Sequence, residues 1–424
     1  RPLRAGAAAG TAVLAAAVLA ASLIAAPAAV AQSARRGQDF ALIERGRYLT
    51  AAADCAACHT NPDNGRPFAG GRPISTPFGT LIAPNITPDL QTGIGSWSDA
   101  QFDAAVRGGR MPNGARLYPA MPYIYYTRLS DADVRAIHAY LQTLAPVRHA
   151  VSVDRLPFPF NIRFAMRIWD ALYFRARRWR PDPSHSALWN RGAYLVEGPG
   201  HCEACHTPKN ILAADKRGRA LRGYATQGWF APDITDDAQR GLADWTVADI
   251  AEYLGSGHNR FAAASGPMAE EVADSSSQMR PADLTAIATY LKTRAGGGER
   301  ATPLRRDDPM MVAGAAIYQD LCSACHRGDG RGVAFLIPNL AASNAVASRR
   351  LDTLLLVVLE GAQSVATAAA PTGPAMPGYR AQLSDVQVAA VLTYIRNSWG
   401  HAAAAVSVGQ VARARARLAS PAQD

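Results

Sequence analysis

The hydrophobic pattern of the chain repeats three times, and each repeat ends in an amphipathic segment. In the first segment apolar residues recur at helical spacing, as at Val134, Ile137 and Leu141, with polar residues between them. The three segments read "LSDADVRAIHAYLQTL", "MRPADLTAIATYLKTR" and "LSDVQVAAVLTYIRNSWG", with Tyr140, Tyr290 and Tyr394 in one register. The pattern predicts a helix at the end of each repeat, with Ser130 and Ser384 as N-caps.

Two other features precede each of these helices. Every repeat opens with a short helical pattern that carries a glycine and a tyrosine, and a Pro-Asn/Asp-aliphatic step follows. The openings read "RGRYLTAAADCAACH", "RGAYLVEGPGHCEACH" and "AGAAIYQDLCSACH". The steps are Pro84-Asn85-Ile86, Pro232-Asp233-Ile234 and Pro338-Asn339-Leu340. The repetition predicts an all-α protein of three tandem domains.

The repeats also set the predicted boundaries. We place domain 1 at residues 32–150, domain 2 at 186–296 and domain 3 at 309–400. Residues 151–185 are an amphipathic linker rich in proline and arginine, residues 297–308 a flexible spacer, and residues 401–424 a loose tail.

The N-terminal pattern differs from the rest of the chain. Two arginines precede a long uncharged run of Ala, Leu and Val that ends in Ala29-Val30-Ala31. This small-x-small ending predicts a signal peptide, residues 1–31, that is removed after export. An uncleaved membrane anchor is the alternative, because the run is long enough to span a bilayer. Both interpretations predict an exported protein.

Composition and charge indicate which classes of molecule the protein could bind. The chain has 424 residues, 49% of them hydrophobic, and a formal net charge of +10. An exported protein rarely meets nucleic acid, and clusters of basic and aromatic residues suited to base stacking are absent outside residues 151–185. We therefore expect no nucleic-acid partner. The basic charge is expected to offset acidic cofactors or to face an anionic membrane or partner.

The cysteines carry the strongest chemical signal. All six belong to Cys-x-x-Cys-His motifs: Cys55, Cys58 and His59; Cys202, Cys205 and His206; Cys322, Cys325 and His326. This motif is the attachment signature of c-type haem, because two sulfurs on one helical face reach the two vinyl groups of one porphyrin. The adjacent histidine then becomes the proximal iron ligand. The sequence predicts three covalent haems c.

Disulfide, zinc and thioredoxin-like interpretations of these cysteines are weaker. A disulfide framework needs no histidine after every pair. A zinc site needs two such pairs close together, or a paired histidine motif. A thioredoxin-type motif occurs once, not three times.

Three methionines in proline-marked loops lie where a sixth iron ligand is expected. His59 and Met121 are 62 residues apart, His206 and Met268 are also 62 apart, and His326 and Met376 are 50 apart. A thioether is neutral and soft, raises the redox potential relative to anionic ligands, and closes the iron to small molecules. Rivals exist at Met111 in the first repeat and His258 in the second. Only Met121, Met268 and Met376 give all three repeats the same type of ligand.

The linker contains a predicted amphipathic helix. Ile162, Met166, Trp169 and Tyr173 form one apolar helical stripe, and there are six arginines from Arg163 to Arg180 inclusive. Such a helix fits a membrane interface or a partner subunit. A strut between domains, with arginines that are solvated or paired with haem propionates, is the structural alternative.

Together these features resemble the cytochrome c fold. Over about residues 40–400 the chain is similar to the trihaem cytochrome c subunits of membrane-bound, quinone-reducing dehydrogenases of the alcohol, gluconate, fructose and sorbitol types. The stretches that carry this resemblance are "TPFGTLIAPNITPDLQTGIGSWSDAQF", "LYPAMPY", "LPFPFNIRFAMRIW", "RGAYLVEGPGHCEACHTPKN", "GPMAEEV" and "MPGY". The fold implies that the first and last helices of each domain cross at a glycine. It also implies that the carbonyls of Pro84, Pro232 and Pro338 accept the second N–H of the proximal histidines.

The resemblance implies an electron-transfer subunit. Such subunits receive electrons from a catalytic dehydrogenase that carries flavin, pyrroloquinoline quinone or molybdenum, and flavin is our first expectation here. They pass the electrons to ubiquinone or onward along the respiratory chain, in the periplasm at the outer face of the cytoplasmic membrane. The alternative is a haem enzyme such as a peroxidase, in which one methionine leaves its iron. A haem sensor would need an output domain, which the sequence does not indicate.

Overall fold

The computed structural model describes residues 39–419, apart from residues 64, 153, 239 and 298–301. The predicted signal peptide, residues 1–31, lies outside the described residues. Within the described part of the chain, no helix is both long enough and apolar enough to cross a membrane.

Domain 1 is a set of short helices with a small antiparallel hairpin at one side. Its elements are α1 (39–52), α2 (Cys55–His59), β1 (Pro73–Thr76), β2 (Gly79–Ile82), α3 (Asp99–Gly108), α4 (Tyr123–Tyr126) and α5 (Asp131–Leu141). The predicted closing helix is confirmed as α5, and the Ser130 side chain accepts a hydrogen bond from the Asp133 N–H at 3.1 Å. Helix α5 therefore begins where its N-cap predicts.

Domain 2 repeats this order after the linker. Its elements are α7 (Ala187–Glu197), α8 (Glu203–His206), a 3-10 turn (Arg217–Arg219), β4 (Arg222–Thr226), β5 (Trp229–Asp233), α9 (Val247–Ser256), α10 (Pro267–Asp274), a second 3-10 turn (Ser276–Gln278) and α11 (Pro281–Leu291). Strand β3 (Asp154–Arg155) and helix α6 (Ala165–Tyr173) belong to the linker. Strand β3 pairs with β2 and so extends the domain 1 hairpin to three strands.

Domain 3 follows the same plan with a shorter middle region. Its elements are α12 (Pro309–Leu321), α13 (Ser323–His326), a 3-10 turn (Leu340–Ala342), α14 (Asn344–Ala347), α15 (Asp352–Glu360), β6 (Gly361–Gln363), β7 (Ala375–Pro377) and α16 (Asp385–Ile395). Ser384 caps α16 through the Gln387 N–H. Helices form the core of every domain, as predicted, and the short hairpins are an addition that the helical pattern did not indicate.

A glycine sits at the crossing of the first and last helix of each domain. A Cβ on Gly46, Gly192 or Gly314 would lie 1.9, 1.9 or 2.2 Å from the carbonyl oxygen of Ala136, Ala286 or Ala390, respectively. The Cβ atoms of Tyr140, Tyr290 and Tyr394 border the same three points. Only glycine allows this close backbone contact. Because a tyrosine lies next to each contact, the shared tyrosine register in the sequence indicates where the first and last helices cross.

Gly192→Ala is therefore expected to lower the free energy of unfolding by about 3 kcal/mol or more, because the added methyl group overlaps backbone that cannot move freely. Chemical denaturation of the haem-loaded protein, followed by circular dichroism, measures this change. The matched control is Gly218→Ala, since a Cβ there meets no atom within 4 Å. Equal denaturation midpoints for the two variants would contradict the close crossing.

Domains 1 and 2 share one continuous core. Buried residues of domain 1, such as Leu49 and Tyr126, lie in the same apolar cluster as Leu195 and Tyr290 of domain 2. The core of domain 3 is separate and centres on residues such as Leu392. The first two domains therefore form one packed unit to which the third is attached.

Backbone hydrogen bonds hold domain 3 against domain 2. The N–H groups of Phe335, Asn339 and Val365 donate to the carbonyls of Asn259, Phe261 and Ala264 at 3.1, 2.9 and 2.9 Å. Because both partners in each bond are main-chain groups, sequence pattern alone gives little sign of this contact.

The linker packs against the protein through the stripe that was predicted for it. Met166, Trp169 and Tyr173 contact a small core that includes Tyr123, and the Trp169 indole N–H donates to the Leu212 carbonyl at 2.8 Å. The other member of the stripe, Ile162, is 44% exposed. Three of the four stripe residues therefore face the protein, while Ile162 and other apolar residues of the linker are exposed.

The predicted loose tail is wrong over much of its length. Residues Val408–Ala419 form helix α17, which buries Val411 and Ala414 against α15 and α16. The Arg415 guanidinium pairs with Asp385 at 2.8 Å. Small apolar residues at helical spacing between the arginines supply the buried face, and the arginines on the surface obscure it in the sequence.

Candidate haem-binding sites

Each Cys-x-x-Cys-His motif forms a single helical turn directly after the first helix of its domain. These turns are α2, α8 and α13. All six cysteines, the three histidines and the methionines Met121, Met268 and Met376 line one connected cavity of ≈ 2130 Å³. The structure thus brings together every residue predicted to attach or ligate a haem.

The three histidines are oriented by the predicted prolines. His59 Nδ1 lies 2.8 Å from the Pro84 carbonyl oxygen, and His206 Nδ1 lies 2.7 Å from that of Pro232. The third distance, from His326 Nδ1 to the Pro338 carbonyl oxygen, is 3.2 Å. A carbonyl only accepts, so Nδ1 carries the proton and Nε2 keeps a lone pair for a metal.

Burial also keeps these imidazoles neutral. It lowers the pKa of His59, His206 and His326 below the ordinary histidine value, and the proline carbonyls oppose this only in part. Because a protonated ring cannot ligate iron, the lowered pKa maintains the ligating form at neutral pH.

The Asn or Asp after the proline has a structural role in the first two Pro-Asn/Asp-aliphatic steps. The Asn85 carboxamide oxygen accepts hydrogen bonds from the Thr87 N–H at 2.9 Å and the Thr87 hydroxyl at 2.7 Å. Asp233 does the same for Thr235 at 2.8 and 2.5 Å. These side chains fix the loop that presents the proline carbonyl, and the aliphatic residue that follows lines the cavity.

The six cysteines lie in the wall of the apolar cavity. Burial raises the pKa of Cys55 to about 12, and that of Cys58 and Cys322 to about 11. None of the six is joined in a disulfide. Among the described residues, no three His, Cys, Asp or Glu side chains are grouped as a metal ion would need, so the structure does not support the zinc interpretation.

The three methionines reach the cavity from different local structures. Met121 immediately precedes α4, Met268 lies in the first turn of α10, and Met376 lies in β7, paired with Ala362. Pro122, Pro267 and Pro377 adjoin them and restrict the backbone of each loop.

The two rival ligands behave differently. Met111 also lines the cavity, in a turn closed by its N–H to the Ala115 carbonyl at 2.9 Å. His258 is 1% exposed and does not line the cavity, and its Nε2–H donates to the Val365 carbonyl at 2.7 Å. The structure therefore uses His258 at the contact between domains 2 and 3.

The donor set fits covalent haem. Each site combines two cysteines on one turn, an imidazole that lines the apolar cavity, and a methionine thioether that lines the same cavity. Soft sulfur and imidazole donors around an apolar space suit haem iron.

Comparison with known proteins agrees with this geometry. A family model for cytochrome c matches residues 43–145, 190–295 and 311–399, and each match contains one Cys-x-x-Cys-His motif. The chain belongs to the cytochrome c family. The three matches confirm the predicted fold class and agree with three haems c.

Relatives of this cytochrome resemble it over most of its length. The gluconate 2-dehydrogenase cytochrome c subunit of Pantoea cypripedii is 39% identical over 88% of this chain and 90% of its own length. The fructose dehydrogenase cytochrome subunit of Gluconobacter japonicus is 37% identical over 89% of this chain and 85% of its own. The alcohol dehydrogenase (quinone) cytochrome c subunit of Gluconacetobacter polyoxogenes is 37% identical over 86% of this chain and 82% of its own length. The predicted resemblance to dehydrogenase cytochrome subunits is confirmed.

Sequence reasoning missed the polar residues that join the haem sites of domains 1 and 2. Arg72 lies next to the domain 1 hairpin, and Lys209 follows the domain 2 motif; both line the cavity and contact the other domain. No repeat pattern marks them, because they occupy different positions in their domains.

Proposed function

We propose that this cytochrome is the electron-transfer subunit of a dehydrogenase complex, in which it passes electrons from a catalytic subunit to ubiquinone or the respiratory chain. One observation carries the proposal: the three sites open into a single cavity, with an imidazole and a thioether at each. When bound, the haems supply three one-electron redox centres. The chain's own residues attach them, orient them and exclude water.

The residues take three roles. Cys55, Cys58, Cys202, Cys205, Cys322 and Cys325 attach the haems. His59, His206 and His326 are the proximal ligands, and Met121, Met268 and Met376 are the sixth ligands. Pro84, Pro232 and Pro338 orient the imidazoles. A neutral thioether at the sixth position favours ferrous iron and leaves no site for peroxide, so a peroxidase is not favoured.

The partner is a catalytic dehydrogenase. The relatives named above are cytochrome subunits of gluconate, fructose and alcohol dehydrogenases, and two thirds or more of each aligns with this chain. The flavin expected in the partner stays a prediction, as does the identity of the substrate.

A linker surface supports membrane association. We define the linker face as the exposed apolar side chains of residues 158–172, which are Phe158, Phe160, Ile162, Phe164, Ile168 and Leu172 at 79, 44, 44, 65, 60 and 59% exposure. On α6, Ile168 and Leu172 follow Phe164 at intervals of four and form one row. Arg167 of the same helix is exposed, and exposed Arg175 follows the end of the helix. An apolar row with cationic side chains nearby fits an interfacial helix on anionic lipid.

The same face supports access for ubiquinone. Phe160, Ile162, Ile168 and Leu172 line the cavity as well as reaching the surface. These exposed side chains are the part of the cavity lining that an apolar quinone dissolved in the membrane would contact. We place the complex at the outer face of the cytoplasmic membrane, after export, on the basis of this face and the N-terminal pattern.

The function is tested by following haem reduction in the native complex. The purified chain should carry three low-spin haems, all of them reduced when the co-purifying dehydrogenase receives its substrate. Addition of a short-chain ubiquinone should reoxidise them. A high-spin haem that turns over peroxide, or haems that the quinone does not oxidise, would contradict the proposal.

A further inference from the structure

A cation of domain 1 reaches the methionine loop of domain 2. The Arg72 guanidinium donates from Nη1 to the Ala57 carbonyl at 2.6 Å, inside the Cys55–His59 motif. Its Nη2 pairs with Glu270 at 2.7 Å. Glu270 lies two residues after Met268 in α10. One side chain therefore joins the attachment turn of the first site to the sixth-ligand helix of the second.

A cation of domain 2 makes the reciprocal connection. Lys209 Nζ donates to the Glu203 carbonyl at 2.9 Å, inside the second motif, and to the Tyr125 hydroxyl at 3.1 Å. The Tyr125 hydroxyl donates to Asp215 at 2.8 Å, and Asp215 also pairs with Lys209. Tyr125 is 3% exposed and lies four residues after Met121 in α4. The two domains thus exchange contacts at their haem sites.

The interface around these contacts has the same reciprocal form. The Tyr48 hydroxyl of domain 1 bonds Asp283 of domain 2, and the Tyr194 hydroxyl of domain 2 bonds Asp133 of domain 1. Each carboxylate also pairs with an arginine of its own domain, Arg191 or Arg45. This arrangement, together with the shared core, fixes the orientation of the two domains, so each cation meets its partner in a defined geometry.

Domain 3 behaves differently in the contacts described. Arg380, four residues after Met376, pairs with Glu360 of the same domain. The Tyr379 hydroxyl donates to the Leu321 carbonyl at 3.0 Å, also within domain 3. The third methionine loop is thus held by its own domain, which makes it a natural comparison for the other two.

We infer that Arg72 and Lys209 are positioning residues that act across the domain interface, each setting the sixth-ligand loop of the other domain's haem. The inference rests on the ligand roles proposed for Met121 and Met268. The reduction potential of a haem depends on how firmly its thioether ligand is held. A change at Arg72 or Lys209 is therefore expected to alter the reduction potential of the haem in the other domain.

The Arg72 connection is tested with Arg72→Gln and Glu270→Gln in the full haem-loaded chain. In the ferrous protein, the NMR methyl signal of each ligating methionine reports one haem, and loss of a signal in Met268→Ala assigns the second. Both variants are expected to weaken the Met268 signal and to shift the haem 2 redox equilibrium about tenfold, which is 59 mV for one electron. Arg72→Lys should restore most of the signal.

Comparison of Arg72→Gln with Glu270→Gln distinguishes an effect on the position of the Met268 loop from a direct effect of charge on the haem potentials. Arg72→Gln removes a cation and Glu270→Gln removes an anion, so direct Coulomb effects shift the haem potentials in opposite directions. Loosening of α10 weakens the Met268 signal in both. Since Glu270 is 52% exposed, loss of the ion pair should change overall stability little. Opposite shifts with an unchanged Met268 signal would overturn the inference.

Tyr125→Phe tests the reciprocal connection. It removes the hydroxyl that meets Lys209 and Asp215, with almost no change of shape, and should weaken the Met121 signal while sparing Met268. Arg380→Gln is the matched control and should change only the third haem. If the wild-type chain lacks methionine signals altogether, the proposed ligands are wrong. If it shows them, but Arg72→Gln leaves the Met268 signal unchanged and Tyr125→Phe leaves the Met121 signal unchanged, only the inference across the interface is wrong.

Discussion

Met268→Ala is expected to convert one haem in three from low spin to high spin and to remove its thioether absorption band. Met268 lines the same cavity as the His206 motif, in the first turn of a helix whose proline fixes the loop. Removal of the sulfur leaves the iron without its sixth ligand, because the neighbouring Ala269 offers no donor. Optical and electron paramagnetic resonance spectra of the purified chain measure the change.

His258→Ala is the matched control. It should destabilise the contact between domains 2 and 3 by about 1–3 kcal/mol, because the Val365 carbonyl loses its buried donor. The three thioether bands should remain. The same comparison applies in domain 1, where Met121→Ala should remove a band and Met111→Ala should not. A haem 2 that stays low spin in Met268→Ala but becomes high spin in His258→Ala would move the ligand role to the histidine.

The second large effect is expected at the membrane. Replacing Phe164, Ile168 and Leu172 with serine should weaken binding to vesicles of anionic phospholipid by about 100-fold. Each side chain is 59–65% exposed, so burial of the exposed part in lipid contributes about 1 kcal/mol. The three together account for about 3 kcal/mol, and 1.4 kcal/mol is tenfold. Co-sedimentation with vesicles measures the binding.

Domain 3 and the tail helix α17 offer the control for this experiment. Val312, Val386 and Val408 are 58, 57 and 41% exposed, and their replacement with serine should leave vesicle binding unchanged. Arg167→Gln should weaken binding about fivefold on anionic vesicles and leave neutral vesicles unaffected. If the linker variant still binds vesicles but no longer assembles with the dehydrogenase, the linker face is a subunit interface.

Much of the site was readable from the sequence because haem attachment demands a short local motif. Two sulfurs must lie on one helical turn with the proximal histidine beside them, so each set occupies five consecutive residues. The structure places the three motifs, the three step prolines and the three methionines around one cavity. The spacing predicted one methionine for each motif, and it did not predict that the three sites would share a cavity. The crossing glycines also follow from pattern, since each lies in the opening segment of its repeat.

Features that depend on contacts between distant segments of the chain could not be predicted from the sequence. The sequence identifies the apolar stripe of the linker, but only the fold shows that Trp169 packs inward and that Ile168 and Leu172 face outward. The tail appears polar because its arginines alternate with small residues, and its burial becomes clear only beside α15 and α16. His258 appears to be a ligand until its partner, Val365, is seen 107 residues away.

The sequence by itself determined the chemistry of each unit: the attachment turns, the neutral histidines behind their prolines, the methionine loops and the helices that enclose them. These depend on contacts within a repeat, where chain spacing fixes geometry. The tertiary structure alone decided how the units combine. Arg72 meets Glu270, and Lys209 meets Tyr125, across an interface whose register is set by packing of the shared core. Packing depends on the whole surface of each domain, and no short spacing along the chain encodes it.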